Sequence, residues 1–268
     1  MNESQTTVRT APAYVPGHQL LAGKSVLITA AAGVGIGFAA AKRCAEEGCR
    51  ALFISDIHER RLAQAVETLR AETGLEKIYG CLCNVSVEED VRALVADAED
   101  KMQGVDVLIN NAGLGGARRI VEMDDAEWSR VIDISLTGTF RMTRAMLPHM
   151  QERGRGVIVN NASVLGWRAQ AEQAHYAAAK AGVMALTRCA ALEAAPYGVR
   201  INAVAPSIAL HDFLKKSASA DLLDQLASRE AFGRAAEVWE VANVMVFLAS
   251  DYASYMTGEV LSVSSQHA

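Results

Sequence analysis

The run Ser25-Val26-Leu27-Ile28-Thr29 passes directly into Ala30-Ala31-Ala32-Gly33-Val34-Gly35-Ile36-Gly37 and then into an alanine-rich stretch ending near Glu47. A short continuous apolar run bounded by glycines reads as a strand buried on both faces, and the stretch beyond it has helical composition. A strand buried on both faces needs helices above and below its sheet, so this unit constrains the fold more than any other feature. The pattern then repeats. Strands are expected at 51–54, running on to Ser55-Asp56, at 81–85, 105–109, 157–160, 199–204 and 260–263, with helices at 60–73, 87–102, 128–150 and 176–195. Such alternation predicts an α/β chain with a Rossmann-type doubly wound parallel sheet and helices on both faces.

Length and composition are consistent with this. The 268 residues suit one domain, expected over 20–268 behind a flexible polar tail at 1–19 that carries Pro12 and Pro16. A less regular segment at 207–232 is expected to cover the substrate. The net charge of −5 argues against a nucleic-acid surface, which needs clustered Lys and Arg. Small molecules are the expected partners. Five cysteines (Cys44, Cys49, Cys81, Cys83, Cys189) show no Cys-x-x-Cys spacing, so no zinc site or disulfide framework is indicated and all are expected as reduced core residues. Neither a signal peptide nor an apolar run of about 18 residues is present, so a cytoplasmic protein is expected and no membrane partner.

Two constellations carry chemistry. Glycines let backbone approach a pyrophosphate while a helix N-terminus offers unpaired N–H groups, and an acidic residue about 20 positions on, here Asp56, would hold a ribose hydroxyl. A carboxylate there repels a 2′-phosphate, which favours NAD over NADP; Arg60 and Arg61 lie nearby on what reads as a helix face. Asn84 and the Asn110-Asn111-Ala112-Gly113 loop follow strands, where an amide would meet an adenine and bare backbone would pass a ribose. The second constellation is Tyr176-x-x-x-Lys180 with Ser163 at a strand end. Four residues is about one helical turn, so phenol and ammonium share a face. A neighbouring cation favours the phenolate of a group that otherwise titrates near about 10, and the serine would hold a substrate oxygen. The same spacing also arises by chance as a surface tyrosine beside a solvated lysine.

Taken together, the glycine loop after Thr29, Asn110-Asn111-Ala112-Gly113, Ser163, Tyr176-x-x-x-Lys180, the run Ile201-Asn202-Ala203-Val204-Ala205-Pro206 and Thr257-Gly258 resemble the short-chain dehydrogenase/reductase family over nearly the whole chain. The resemblance implies hydride transfer between a nicotinamide cofactor and a carbon bearing oxygen. It implies Tyr176 as general acid/base, Ser163 as the group orienting the substrate oxygen, and Lys180 as the cation beside both. Cofactor contacts are implied at Thr29, Gly33, Gly35, Ile36, Gly37, Asp56, Asn84, Val85, Asn111, Ala112, Gly113, Tyr176, Lys180, Pro206 and Ile208. A homotetramer is implied by analogy.

Four positions depart from the family pattern. Ala30 stands where a glycine is usual, in a loop one residue longer. Asn84 replaces a common aspartate. Ser135 occupies the place of an asparagine that helps hold a water between the lysine and solvent, and is expected to keep that relay. Ser207 replaces a glycine, with His211 near a usual cofactor contact.

Leu165, Trp167, Ile208, Leu210, Phe213 and Leu214 either line a hydrocarbon pocket or belong to the core. The phrasing around Ser163, with His175 before the tyrosine, resembles an actinobacterial subgroup acting in cholesterol degradation on hydroxylated steroid-ring coenzyme A thioesters, with Lys215 and Lys216 placed to meet phosphates. The alternatives are an NADPH-dependent 3-oxoacyl-thioester reductase and a catalytically silent dinucleotide-binding protein.

Overall fold

The computed structural model describes residues 10–210 and 220–265. Seven parallel strands form one sheet in the order β3-β2-β1-β4-β5-β6-β9: β1 Ser25–Ile28, β2 Ala51–Asp56, β3 Ile78–Leu82, β4 Val107–Asn110, β5 Gly156–Asn161, β6 Val199–Pro206 and β9 Val260–Val263. The chain runs outward from β1 to β3, then returns to pair β4 with the other side of β1. That reversal opens a crevice beyond the carboxyl ends of β1 and β4, where such sheets bind ligands.

Alternation along the strands explains the two layers. Val26, Ile28, Leu52, Ile54, Val107, Ile109, Val157 and Val159 face α1 (Ile36–Glu46), α2 (Glu59–Thr73) and α8 (Val238–Ala249). Leu27, Phe53, Leu108, Ile158 and Ile201 face α3 (Glu88–Met102), α5 (Gly138–Glu152) and α6 (Ala174–Ala194). Successive side chains point to opposite faces, so an uninterrupted apolar run builds both cores.

The helix expected over 128–150 differs in detail. It starts at α4 (Asp125–Ile132), capped by the Asp124 carboxylate accepting from the Glu127 N–H, widens into a π turn at Asp133–Thr137, and continues as α5. The remaining elements are two-residue strands β7 (Ala209–Leu210) and β8 (Ala236–Glu237), paired in parallel, and α7 (Ala220–Ser228). Of the segment 207–232, residues 211–219, with His211, Phe213, Leu214, Lys215 and Lys216, lie outside the described residues.

The N-terminal segment departs from the sequence expectation of a tail through residue 19. Tyr14 donates to Glu46 and packs edge-on to Trp239 with centroids 5.4 Å apart, while His18 and Leu20 N–H groups donate to Glu47 at 2.7 and 3.0 Å. Tyr14 to Leu20 therefore lie against α1 and α8. The cysteine expectation is corrected at one residue: Cys44, Cys49 and Cys83 are buried and Cys81 is half-buried, but Cys189 is exposed on α6. Among the described residues no helix is long and apolar enough to cross a membrane, and no group of three or more His, Cys, Asp or Glu side chains is arranged to hold a metal ion.

Candidate active site

At the β1 end of the crevice, Gly35 precedes the first turn of α1 in extended conformation, and no acidic side chain occupies that turn. A Cβ added at Gly33, whose φ is 135°, or at Gly35 would meet nothing within 4 Å. The helix N-terminus is thus open to an anion. Gly37 differs: a Cβ there would lie 2.4 Å from both the Ala30 carbonyl oxygen and Asn111 Nδ2, so this glycine serves the close approach of α1 to the β4 loop. Ala30, at the place of a family glycine, adopts a left-handed φ of 51°, a conformation that costs a non-glycine residue roughly 1 kcal/mol. Thr29, expected at the cofactor, is buried, and its hydroxyl accepts from the Asn111 and Ala112 N–H groups, both at 3.0 Å. Its side chain ties β1 to the β4 loop.

Asp56 ends β2 and is 7% exposed, with its carboxylate accepting from the Ala32 N–H at 3.2 Å and the His58 N–H at 3.1 Å. Burial pushes its carboxyl above the usual value against the Ala32 N–H, Arg61 and the Ile57 N–H. The guanidinium of Arg61, expected on a solvated face, lies 3.7 Å away. Asn84 accepts from Ser86 N–H and Oγ with its side-chain oxygen, which leaves its amide N–H groups outside these bonds; Val85 is buried against Gly138.

At the β5 end, Ser163 opens a short turn at Val164–Gly166 and accepts from the Leu165 N–H at 3.2 Å. Its hydroxyl also acts on the phenol of Tyr176, the third residue of α6. Lys180 follows one turn later, 3% exposed, with Nζ 5.5 Å from the Tyr176 ring centroid and donating at 2.6 Å to the Asn161 carbonyl. Burial pushes Tyr176 above the usual phenol value, and the partner that pulls it down is Ser163. The sequence expectation that Lys180 lowers the phenol is corrected here, because desolvation dominates. The same burial lowers Lys180 to about 8.

A lysine whose folded-state pKa is depressed costs stability while it is charged, and that cost fades as pH rises through about 8 toward its ordinary value. Lys180→Met should therefore gain relative to wild type at pH 7 and lose that advantage by about pH 10. Thermal melts across this range check the sign; a constant difference in Tm would reject it.

Ser135 sits buried in the π turn, a distortion that recurs at functional sites. Its hydroxyl donates to the Leu114 carbonyl at 3.0 Å and accepts from the Leu114 N–H at 2.9 Å. It thereby holds the loop after Gly113; a Cβ on Gly113 would lie 3.3 Å from Lys180 Nζ and 3.7 Å from Ser135 Oγ. Asn161 was not singled out in the sequence as a site residue. Beyond receiving Lys180, its amide donates to Asn111 Oδ1 at 3.0 Å, joining the two halves of the crevice. The only sequence signal was its place at the end of an apolar strand.

Pro206 ends β6 and Ile208 follows it, its carbonyl accepting from the Ala236 N–H at 2.9 Å. Trp167 is exposed and Leu165, Ile208 and Leu210 are half-buried, so these four are not plain core. The opposite rim of the sheet holds a cavity of about 900 Å³. Its charged groups include the ion pairs Lys24–Asp251 (2.8 Å) and Arg155–Asp106 (3.6 Å).

A family model described as enoyl-(acyl carrier protein) reductase matches residues 30–265. This chain belongs to the short-chain dehydrogenase/reductase family. Dehydrogenases of that family bind a nicotinamide dinucleotide. The short-chain dehydrogenase/reductase chain is 60% identical to a Mycobacterium tuberculosis protein named (5R,7aS)-5-hydroxy-7a-methyl-1-oxo-2,3,5,6,7,7a-hexahydro-1H-indene-carboxyl-CoA reductase, over 96% of this chain and 98% of that one. It is 35% identical to a 3-oxoacyl-(acyl-carrier-protein) reductase of Staphylococcus epidermidis, over 90% and 97%. A crystal structure of a short-chain dehydrogenase from Mycobacterium smegmatis superposes with a TM-score of 0.86 at 54% identity, covering 97% of this chain and 99% of that one.

Proposed function

We propose that this oxidoreductase uses NAD(H) to interconvert a secondary ring alcohol and a ketone on a cyclic coenzyme A thioester. The observation that carries the chemistry is the buried Lys180, one helical turn after Tyr176 with Nζ 5.5 Å from its ring centroid, together with Ser163, which acts on the phenol. The similarity to the hexahydroindene-carboxyl-CoA reductase supports the substrate class.

The dinucleotide, when bound, supplies or accepts the hydride. The N–H groups at the start of α1 would hold its pyrophosphate, Asp56 a ribose, Asn84 the adenine, and Lys180 the nicotinamide ribose. Ser163 holds the substrate oxygen by a hydrogen bond. Tyr176, raised by burial, is protonated at neutral pH, the state that gives a proton to a ketone oxygen as it gains charge. In the oxidative direction the deprotonated Tyr176 oxygen takes the proton from the substrate hydroxyl as hydride leaves its carbon, and the Lys180 ammonium favours that deprotonated state. Leu165, Trp167 and Ile208 offer apolar surface to a ring.

NAD selectivity rests on Asp56. Asp56→Ser should weaken NAD binding about 10- to 100-fold, the worth of a charged hydrogen bond, while NADP binding improves because Arg61 at 3.7 Å is released to meet a 2′-phosphate. Dissociation constants for both dinucleotides check this; unchanged preference would reject the role of Asp56. For the substrate, initial rates are measured with cyclic and linear thioesters of coenzyme A. Turnover confined to linear 3-oxoacyl thioesters with NADPH would replace this reading with that of a 3-oxoacyl-thioester reductase. Dinucleotide binding without turnover of any alcohol or ketone would favour a silent binding protein.

A further inference from the structure

Beyond Ala112 the chain continues as Gly113-Leu114-Gly115-Gly116, a strip that passes Lys180, Tyr176 and His175 in turn. A Cβ on Gly115 would lie 3.7 and 3.8 Å from Cδ2 and Cε2 of Tyr176, and one on Gly116 would lie 3.4 Å from His175 Nε2. Neither glycine has a φ in the left-handed region. The backbone therefore does not demand glycine at either position, and what their lack of a side chain provides is space.

The strip is also held in place. Leu114 is gripped by Ser135 through both its N–H and its carbonyl. On the other side the Arg118 N–H donates to the Glu172 carbonyl at 2.9 Å, and Arg118 Nε donates to Glu127 at 3.1 Å. Beneath Gly116 lies His175, fully buried, with neither ring nitrogen hydrogen-bonded among the described residues and Glu127 Oε1 4.0 Å from Nε2. The strip thus meets the imidazole at Gly116 and the ring edge of the phenol at Gly115.

We propose that Gly115 and Gly116 are specificity-determining residues, whose missing side chains leave the flank of Tyr176 open to a flat fused-ring substrate. This rests on the cyclic-thioester reading above and names the part of the site that selects the ring. A side chain at 115 would lie against the ring edge of Tyr176 and occupy the space beside its hydroxyl. A larger residue at 116 would press on the buried His175, whose Nε2 lies 3.4 Å from a Cβ placed there.

The test uses the full-length enzyme and its Gly115→Ala and Gly115→Leu variants, with a bicyclic ketone thioester, a monocyclic one and a linear 3-oxoacyl thioester of coenzyme A. Alanine at 115 makes only ordinary contacts, so that variant keeps the fold and NAD affinity as internal controls. The expected result is a rise in KM for the bicyclic substrate of about tenfold with alanine and over about a hundredfold with leucine, the range a pocket achieves through added methylenes. KM for any linear substrate changes less than about threefold, and the NAD Kd stays the same. Bicyclic turnover that survives Gly115→Leu unchanged, or an equal loss with cyclic and linear substrates, overturns the role of the strip while leaving the substrate reading intact. Wild-type turnover of the linear thioester alone rejects the substrate reading and this role with it.

Discussion

Tyr176→Phe should yield a folded, dinucleotide-binding protein whose kcat is lower by about a thousandfold, within the range a positioned general acid supplies. The ring and its packing remain, so only the proton-transferring hydroxyl is lost. Ser163 keeps its bond from the Leu165 N–H, so no buried group is stranded and Tm should stay within about 2 °C of wild type. The decisive comparison is between the NAD Kd and the single-turnover rate. Retained affinity with a collapsed rate places Tyr176 at the reacting oxygen, whereas residual activity above a tenth of wild type would remove it from that role. Parallel loss of affinity would show a packing function instead.

Arg43→Met should cost about 3–5 kcal/mol, the usual penalty for stranding one member of a buried ion pair. Glu47 is fully buried and Arg43 is 4% exposed, and their ion pair is 2.5 Å long. Burial pushes the Glu47 carboxyl up, but the Leu20 and His18 N–H groups and Arg43 outweigh it and hold the pKa below its ordinary value. A carboxylate with a depressed folded-state pKa adds stability that is present at neutral pH and lost as pH falls below the usual glutamate range. Wild-type stability should therefore drop in mild acid, and Arg43→Met should be destabilised by roughly 10 °C at pH 7. Arg43 also donates to the Val15 and Pro16 carbonyls and lies over the Tyr14 ring. Limited proteolysis near residue 15 should consequently accelerate in the variant. Adding Glu47→Gln should recover part of the loss. A Tm within about 2 °C of wild type would show that the pair and the segment it holds contribute little.

The sheet was legible because its signal is local. Each strand is a short apolar run, each helix a longer patterned one, and a strand buried on both faces can only be satisfied in a layered parallel sheet. The adjacency of Tyr176 and Lys180 was legible for a similar reason, since helical geometry places residues four apart on one face. The glycines at Gly33 and Gly35 announced open backbone at a helix start, and the structure shows open space there.

What eluded the sequence depends on contacts between distant segments. The π turn at Ser135 has no compositional mark, and the bond from Ser135 to Leu114 joins residues 21 positions apart. Arg61, by contrast, is exposed as the sequence suggested, and its 3.7 Å approach to Asp56 is local, between residues five positions apart. The segment from Tyr14 to Leu20 is polar and proline-bearing, the composition of a tail. Its attachment comes from the buried Glu47 at the end of α1, which accepts from the His18 and Leu20 N–H groups.

The amino-acid sequence by itself determined the layered α/β sheet, the order of its elements and the spacing of Ser163, Tyr176 and Lys180, because these follow from periodicity within a few residues. Only the tertiary structure decided how charged those groups are. Desolvation raises Tyr176 and brings Lys180 down to about 8, and desolvation is a property of everything packed around a residue rather than of its neighbours in the chain.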